Sequence, residues 1–267
     1  FNGESGNIGG NEVYFNYAKN VEVIGYSKVG GMFGNLVKSM KISENYINAT
    51  VSAIANEAGG LLGYLDNSNM TAVSNTTRIY SNYFVGIVNG KSNIGGFIGN
   101  IAEDLYNPEL YYYSNYIEAY LDSDDTNTVS LGIGGRQNQN QYVKDTYYYK
   151  YSSINGENPN EQNEIFISSD KYLVEEELKE QTTYTSKLKW TSGNWNLDVL
   201  QNNKYPTINV GNLPDQEGID IPKDSEHNLA ESTDTQTSNN TEDENLQIPE
   251  QTFEYAGKQI TTYSTYS

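Results

Sequence analysis

The octapeptide "VGGMFGNL" at residues 29–36 places three glycines around two bulky apolar residues, and two further copies follow it. These are "AGGLLGYL" at residues 58–65 and "IGGFIGNI" at residues 94–101. A phosphate-binding loop needs its glycines between a strand and a helix N-terminus, with a lysine or an acidic partner at a set distance. No copy is followed by "GK" or by a helical pattern. The glycines are therefore predicted to turn corners, with positive φ at the leading pair.

An Asn-Tyr pair precedes each glycine pair, which makes the copies parts of a longer repeat. The tyrosines recur at intervals of 29, 37 and 33 residues, and the step from Tyr to Gly-Gly is 13, 13, 12 and, from Tyr116 to Gly134, 18. A fixed period of this size is typical of solenoids. The glycines predicted to have a structural role in the repeat are Gly30, Gly31, Gly34, Gly59, Gly60, Gly63, Gly95, Gly96 and Gly99.

The residues after each tyrosine alternate between apolar and polar, which predicts half-buried β-strands. The first copy departs, because Val21 and Val23 lie one place out of register, and it is expected to be an incomplete or capping coil. The asparagine before each tyrosine is predicted to adopt the left-handed region and to hydrogen-bond to its equivalents in stacked coils. Coils that cannot bury their apolar faces alone must stack. The fold class is therefore all-β, a parallel β-solenoid that is right-handed by the usual crossover preference. The residues predicted to point inward are Ile47, Ala49, Val51, Phe84, Gly86, Val88, Ile117, Ala119 and Leu121.

The composition excludes several classes of partner. With 16 Lys+Arg against 35 Asp+Glu, the net charge is -19, which repels nucleic acid and anionic lipid surfaces. The absence of cysteine leaves no disulfide, thiolate metal site or cysteine nucleophile. No apolar run is long enough to span a membrane, so membrane insertion is not expected. The chain begins at Phe1 without a methionine, which we interpret as a piece of a longer protein.

The chain divides into four segments by composition. Residues 1–165 are predicted to form the solenoid and residues 166–210 a capping segment. Residues 211–250 contain no aromatic residue and eleven acidic residues against one lysine, so they are predicted to be a disordered acidic linker. Residues 251–267 return to a strand-like order and are interpreted as the start of a following domain.

With these motifs, residues 13–210 resemble the GLUG repeats of bacterial surface proteins. Such repeats occur in adhesins and ahead of the catalytic domain in the immunoglobulin A protease family of zinc metallopeptidases. In similar proteins the array often closes with a short helix, a tryptophan-rich stretch and a Tyr-Pro. Here these are "SSDKYLVEEELKEQ", "LKWTSGNWNLD" and "NKYPTI". The resemblance implies an extracellular location, on the bacterial cell surface or secreted. Degenerate copies at "IGGNEVY" and "IGGRQNQ" leave the number of coils open.

The closing segment is predicted to cap the solenoid. Ser169 or Asp170 can cap a helix that starts near Lys171. An exposed solenoid end is an edge that invites aggregation, so it needs a cover. Trp190, Trp195 and the pair Tyr205-Pro206 are therefore expected to plug the open end.

No catalytic, cofactor or metal site is predicted in this segment. A zinc peptidase needs His-Glu-x-x-His on a helix, whereas the chain has one histidine, His227, in the acidic linker. Asp122, Asp124 and Asp125 could bind calcium, but a solvated acidic turn is favoured because the loop lacks the glycine and the later glutamate that calcium loops use. A glycan-cleaving β-helix enzyme would need carboxylates and a basic residue on one outer face, and the candidates here are Asp104, Glu118 and Arg136. The favoured interpretation is that these three are scattered surface charges.

The tyrosines are the weak candidates for partner binding, because their rings stack on sugars and anchor protein interfaces. The candidates are Tyr111, Tyr112, Tyr113, Tyr147, Tyr148 and Tyr149. The alternative, that tyrosine simply suits a strand, is favoured. The leading hypothesis is a non-catalytic extracellular repeat domain upstream of a zinc metallopeptidase domain, with a host glycoprotein or glycan, immunoglobulin among them, as the partner. The second is an adhesin or carbohydrate-binding stalk with no enzyme attached.

Overall fold

The structure, a computed structural model, describes residues 11–37, 40–66, 77–102, 110–135, 143–159, 171–209, 216–227, 251–255 and 258–262. The chain forms two units, residues 1–228 and residues 229–267. In the first unit parallel strands of successive repeats stack into a β-solenoid, as predicted.

Each complete coil contributes one strand to each of four parallel sheets. The first coil comprises β1 (Asn11–Tyr14), β2 (Tyr17–Gly25), β3 (Val29–Gly30) and β4 (Phe33–Leu36). The second comprises β5 (Met40–Ser43), β6 (Tyr46–Ala53), β7 (Asn56–Gly59) and β8 (Leu62–Leu65). The third comprises β9 (Thr77–Tyr80), β10 (Tyr83–Gly90), β11 (Ser92–Gly95) and β12 (Ile98–Ile101).

Beyond the third coil the stack becomes incomplete. The next strands are β13 (Leu110–Tyr113), β14 (Tyr116–Ser123), β15 (Val129–Ser130), β16 (Val143–Lys144), β17 (Tyr147–Tyr149), β18 (Ser153–Ile154) and β19 (Tyr172–Leu173). The five-stranded sheet has the order β1-β5-β9-β13-β16, and the longest sheet has the order β19-β17-β14-β10-β6-β2.

The inward residues are the ones that the alternation predicted. In the longest sheet Ile47 pairs with Phe84, which pairs with Ile117, and the next inward rows are Ala49, Gly86, Ala119 and Val51, Val88, Leu121. All the side chains in these rows are buried in one apolar core. The irregular first copy also has a physical reason. A bulge between Ala18 and Val21 restores the register, so that Val21 pairs with Ala49 and Val23 with Val51.

The predicted asparagine ladder is present. Asn45 and Asn82 each receive two hydrogen bonds from the asparagine of the preceding coil, and Asn115 receives two from Asn82 at 3.0 and 3.1 Å. The left-handed residue, however, is the one before each asparagine, with φ of 50° to 58°. This turn points the asparagine amide along the stack, where it serves both neighbouring coils. The left-handed residues before the asparagines are Phe15, Glu44, Ser81 and Ser114, and Asp145 takes the same conformation before Thr146, which stands in the place of the asparagine in the next copy.

The repeat glycines do turn corners, but not through positive φ. The left-handed residues at these corners are Lys28, Glu57 and Asn93, which precede the glycines by two positions. The glycines are needed because backbone passes where a Cβ would be. A Cβ on Gly59 would lie 2.2 Å from the carbonyl oxygen of Leu62, and one on Gly60 would lie 2.2 Å from that of Gly96.

The fourth copy of the repeat is shifted from its predicted alignment. Gly95 pairs with Ser130, and Ile98 bridges to Ile133, so Gly134 occupies the position of Gly99 rather than that of Gly95. The number of residues from Tyr116 to the corner at Ser130 is thus close to the number from tyrosine to glycine in the other copies.

The segment after β19 lies along the side of the solenoid rather than over its end. We call residues 174–209 and 216–227 the strap. It contains α1 (Glu175–Leu178), a π-helix (Thr183–Lys187), a 3-10 helix (Asp198–Asn202), the antiparallel pair β20 (Trp195–Asn196) and β21 (Thr207–Ile208), and α2 (Asp224–His227). The first α-helix begins at Glu175, where the Val174 amide donates to the Glu177 carboxylate at 3.2 Å, and not near Lys171. The proposed caps Ser169 and Asp170 lie outside the described residues.

The strap contacts several coils in turn. The Tyr17 hydroxyl donates to the carbonyl of Glu217 at 2.8 Å, and the Ile219 amide donates to the Tyr46 hydroxyl at 3.0 Å. Tyr149, three coils further along, donates to Asp224 at 3.2 Å. The strap thus runs the length of the stack, and the compact unit extends past the predicted boundary at Val210 to include residues 216–227.

The second unit is described by one antiparallel pair. Strand β22 (Gln251–Tyr255) pairs with β23 (Lys258–Thr262). Strand formation in the tail was expected.

Candidate functional site

The outer side of the five-stranded sheet carries aromatic and basic side chains on adjacent strands. We call this surface the outer face. One row runs across the strands as Glu12, Lys41, Arg78 and Tyr111. A second row runs beside it as Tyr14, Ser43, Tyr80 and Tyr113. Side chains two residues apart on one strand share a face, so the two rows form a single surface.

The basic groups of the outer face lie against its tyrosines. The Arg78 guanidinium lies 5.8 Å from the centroid of the Tyr111 ring, within the range of cation–π attraction. The Lys41 ammonium lies 3.5 Å from the Glu12 carboxylate. A hydrogen bond to the Tyr80 hydroxyl is the main cause that raises the pKa of Lys41, with Glu12 adding to it. Lys41 therefore carries its charge throughout the physiological range.

A shallow groove of about 230 Å³ lies where the outer face meets the strap. Its floor includes Tyr80 and Tyr113, whose rings stack with centroids 5.0 Å apart and planes 2° apart. Glu44 also lines the groove, and burial is the main cause that raises the pKa of its carboxyl. Lys189 and Asn194 of the strap line it as well. The groove can therefore offer charged and amide groups beside aromatic edges.

Sequence reasoning identified two of these tyrosines and missed the basic residues. Tyr111 is 38% exposed and Tyr113 is partly buried, and both belong to the outer face. Tyr112 points into the core and is 1% exposed, so its proposed role in partner binding is wrong. Aligning the strands before each Asn-Tyr pair, "MKIS", "TRIY" and "LYYY", would have placed Lys41 and Arg78 in the column of Tyr111.

The second candidate cluster is also not available to a partner. Tyr147, Tyr148 and Tyr149 are all buried. Tyr148 lies in the core, whereas Tyr147 and Tyr149 lie under the strap, with the Lys187 ammonium 5.9 Å from the Tyr147 ring centroid. Their rings therefore stabilise the fold instead of presenting a binding surface.

The strap covers a ladder of tyrosines on the longest sheet and seals one carboxyl group beneath it. The ladder stacks Tyr17, Tyr46, Tyr83 and Tyr116 with ring centroids 4.7 to 5.8 Å apart. Beside it Glu118 is 2% exposed and accepts hydrogen bonds from Tyr205 at 2.6 Å and from Tyr120 at 3.1 Å. Tyr205 also shares a hydrogen bond of 2.8 Å with Tyr116.

Burial raises the pKa of Glu118 to about 7 from its ordinary value of 4.5, although the bonds from Tyr205 and Tyr120 lower it. Between about pH 4.5 and pH 7, Glu118 is therefore protonated in the folded protein and ionised in the unfolded chain. This group's favourable contribution is fully present below about pH 4.5 and is lost as the pH rises through about 7. We expect the free energy of unfolding to fall by on the order of 3 kcal/mol from this source between about pH 4 and pH 8.

Urea unfolding across this range tests the Glu118 prediction. Glu118→Gln removes the titrating group and keeps an acceptor, so its stability relative to the wild type should improve as the pH rises. Glu22→Gln, on the exposed side of the same sheet, is the control for the loss of one negative charge. If Glu118→Gln and wild type lose stability in parallel, the carboxyl is not buried under the strap as described.

The remaining candidate residues form no metal-binding cluster in the part of the chain that the structure describes. Asp125 caps the 3-10 helix Thr126–Thr128 by accepting from the Asn127 amide at 3.0 Å, while Asp122 and Asp124 are exposed. Among the described residues no group of three or more His, Cys, Asp or Glu side chains is placed to hold a metal. Asp104 and Arg136 lie outside the described residues, and Glu118 is sealed beneath the strap. His227 is the last residue of α2.

Within the described part of the chain, no helix has the length and apolarity needed to cross a membrane. Comparison with protein-family models, with curated proteins and with solved structures finds no match to this chain.

Proposed function

We propose that this segment is a non-catalytic extracellular repeat domain of a bacterial surface protein, and that it engages a host glycoprotein or glycan. The observation that carries the proposal is the outer face, where exposed aromatic rings and basic groups form one surface on a rigid stack of strands. Aromatic and arginine side chains are the residues that most often dominate binding energy at interfaces. The surface lies on strands, which hold side chains in fixed register.

The arrangement of acidic groups supports a role without catalysis. Burial raises the pKa of Glu118 to about 7, and this carboxyl accepts hydrogen bonds from the Tyr205 and Tyr120 hydroxyls beneath the strap. A general acid must reach the proton acceptor of its substrate. We propose that the domain positions a substrate glycoprotein, with immunoglobulin among the candidates, for a zinc metallopeptidase domain of the same protein.

Binding to immobilised immunoglobulin A and to mucosal glycoproteins tests the proposal. We expect micromolar dissociation constants, on the order of those of modest interfaces. The double variant Tyr111→Ser, Tyr113→Ser should weaken binding at least about tenfold, because it removes two of the aromatic rings of the outer face. Tyr26→Ser, which changes an exposed tyrosine outside the outer face, is the matched control.

Two outcomes would contradict the proposal. The absence of binding to any glycoprotein of the panel, or equal loss in the control, would remove the outer face as the binding surface. Zinc-dependent cleavage of immunoglobulin by the isolated segment would overturn its non-catalytic role. Circular dichroism of each variant shows whether a loss of binding reflects unfolding.

A further inference from the structure

The charge of the outer face is opposite to that of the chain as a whole. The chain carries a net charge of -19, yet Lys41 and Arg78 are direct partners on neighbouring strands. Like charges on directly opposed strand positions destabilise a sheet. Glu12 compensates Lys41, whereas Arg78 is exposed and forms no ion pair with another described residue. Among the described residues, Arg78 is thus a cation without an ion-pair partner in the middle of the surface.

The groups around Arg78 have the character of a binding site. Tyr111 presents its ring to the guanidinium on one side, and Tyr80 and Tyr113 form the adjacent row. The turns that follow β9 and β13 carry Ser81 and Ser114, which are uncharged, whereas the turn that follows β5 carries Glu44. Glu12 and Glu44 therefore belong to the first two coils, and Asp145 follows β16, two strands beyond β9. Arg78 lies between these acidic positions, on a strand whose own turn carries no charge.

From this arrangement we infer that the outer face binds an acidic sugar residue of a host glycan, with Arg78 holding its carboxylate or sulfate. The planar guanidinium matches such oxyanions with two parallel hydrogen bonds. Lys41 adds a second positive charge, and Tyr111 offers a ring against which the apolar face of a sugar can pack. The inference rests on the proposed function and names the class of ligand.

The charges on the molecule favour this ligand over other anions and over neutral sugars. A long nucleic acid or an anionic membrane would meet the net charge of -19 over its whole length. A single acidic sugar is short enough to meet mainly Arg78 and Lys41, because salt screens charges beyond about 10 Å. A neutral sugar offers no anion to the Arg78 guanidinium.

Isothermal titration with 3′-sialyllactose and with a heparin hexasaccharide tests the inference, with lactose as the neutral probe. We expect binding of at least one acidic probe, and a weaker or undetectable response to lactose. Raising the salt from about 50 to about 300 mM should weaken acidic binding several-fold, because Arg78 and the anion are near the surface.

Substitutions locate the site. Arg78→Gln should lower affinity at least about tenfold, and Arg78→Lys should give an intermediate loss because it keeps the charge without the paired donors. Lys28→Gln is the matched control, because the Lys28 ammonium also lies on a tyrosine ring, 3.8 Å from the Tyr64 centroid, but outside the outer face. It should bind like the wild type.

Equal affinity for lactose and acidic probes, no binding of either acidic probe, or unchanged affinity in both Arg78 variants would overturn the inference. These failures are distinct from failure of the proposed function. Glycoprotein binding that survives Arg78→Gln leaves the proposed function standing and removes only the acidic-sugar ligand. Loss of all glycoprotein binding by the wild type removes both.

Discussion

Replacing Gly95 with alanine should destabilise the solenoid by about 3 kcal/mol or more, because the added methyl group has no space. A Cβ on Gly95 would lie 1.8 Å from the Ile98 carbonyl oxygen and 2.8 Å from the Gly134 nitrogen. Both atoms are backbone, so a side-chain rotation cannot relieve the clash. The corner itself must open, and the neighbouring coils hold it from both sides through β7 and β15.

Thermal and urea unfolding measure this effect, and Gly193→Ala is the control. Gly193 lies in a turn of the strap where an added Cβ meets nothing within 4 Å. We therefore expect Gly193→Ala to change the free energy of unfolding by less than about 0.5 kcal/mol. A Gly95→Ala protein as stable as the wild type would show that the corner is not packed as described.

The alternation after each tyrosine is a local property, and it predicted the inward rows correctly. Whether a residue points in or out of a strand depends only on its parity, so Ile47, Phe84 and Ile117 could be assigned without knowing the coil geometry. The same parity applied to "YYY" at residues 111–113 would have separated buried Tyr112 from Tyr111 and Tyr113.

The role of the glycines could not be read from the sequence. A glycine shows that a side chain is absent but not whether φ or space requires it. At Gly59 and Gly95 space requires it, and the left-handed positions are taken by Glu57 and Asn93. In the fourth coil Ser130 occupies the position of Gly95, and no described residue extends that sheet beyond β15. The glycine pattern is therefore incomplete in this copy, which is why the sequence aligned Gly134 with the wrong glycine.

The position of the strap depends on contacts between residues far apart in the chain. The pairs Tyr46 with Ile219 and Tyr116 with Tyr205 are separated by 173 and 89 positions. No local pattern encodes such a pairing. Trp190, Trp195 and Tyr205 are buried, but along the side of the stack and not over its open end, where the sequence led us to expect them. The basic residues of the outer face were missed because single charges on strands usually remain in solvent.

Replacing Asn82 with alanine should cost about 3 to 5 kcal/mol, because its amide serves three coils at once. Its side-chain oxygen accepts from the Asn45 amide at 3.2 Å and from the Asn45 side chain at 2.8 Å. Its side-chain nitrogen donates to the backbone carbonyls of Ile42 at 3.0 Å and Tyr80 at 2.9 Å, and to the side-chain oxygen of Asn115 at 3.1 Å. Asn82 is buried, so in the alanine variant these partners lose their hydrogen bonds and water cannot reach them as a replacement.

A graded series distinguishes this loss from a general effect of removing an asparagine. Asn16 ends the ladder in the described coils, where its side chain donates to the Asn45 side-chain oxygen at 2.8 Å and, within its own coil, to the Tyr14 carbonyl at 3.1 Å, so Asn16→Ala should cost about 1 kcal/mol. Asn89→Ala removes a single bond to Ser52 and should cost less still. Urea unfolding of the three variants should therefore rank Asn82 well above Asn16, and Asn16 above Asn89. Equal losses at Asn82 and Asn16 would mean that the ladder does not join successive coils, since only an interior member satisfies backbone on both sides.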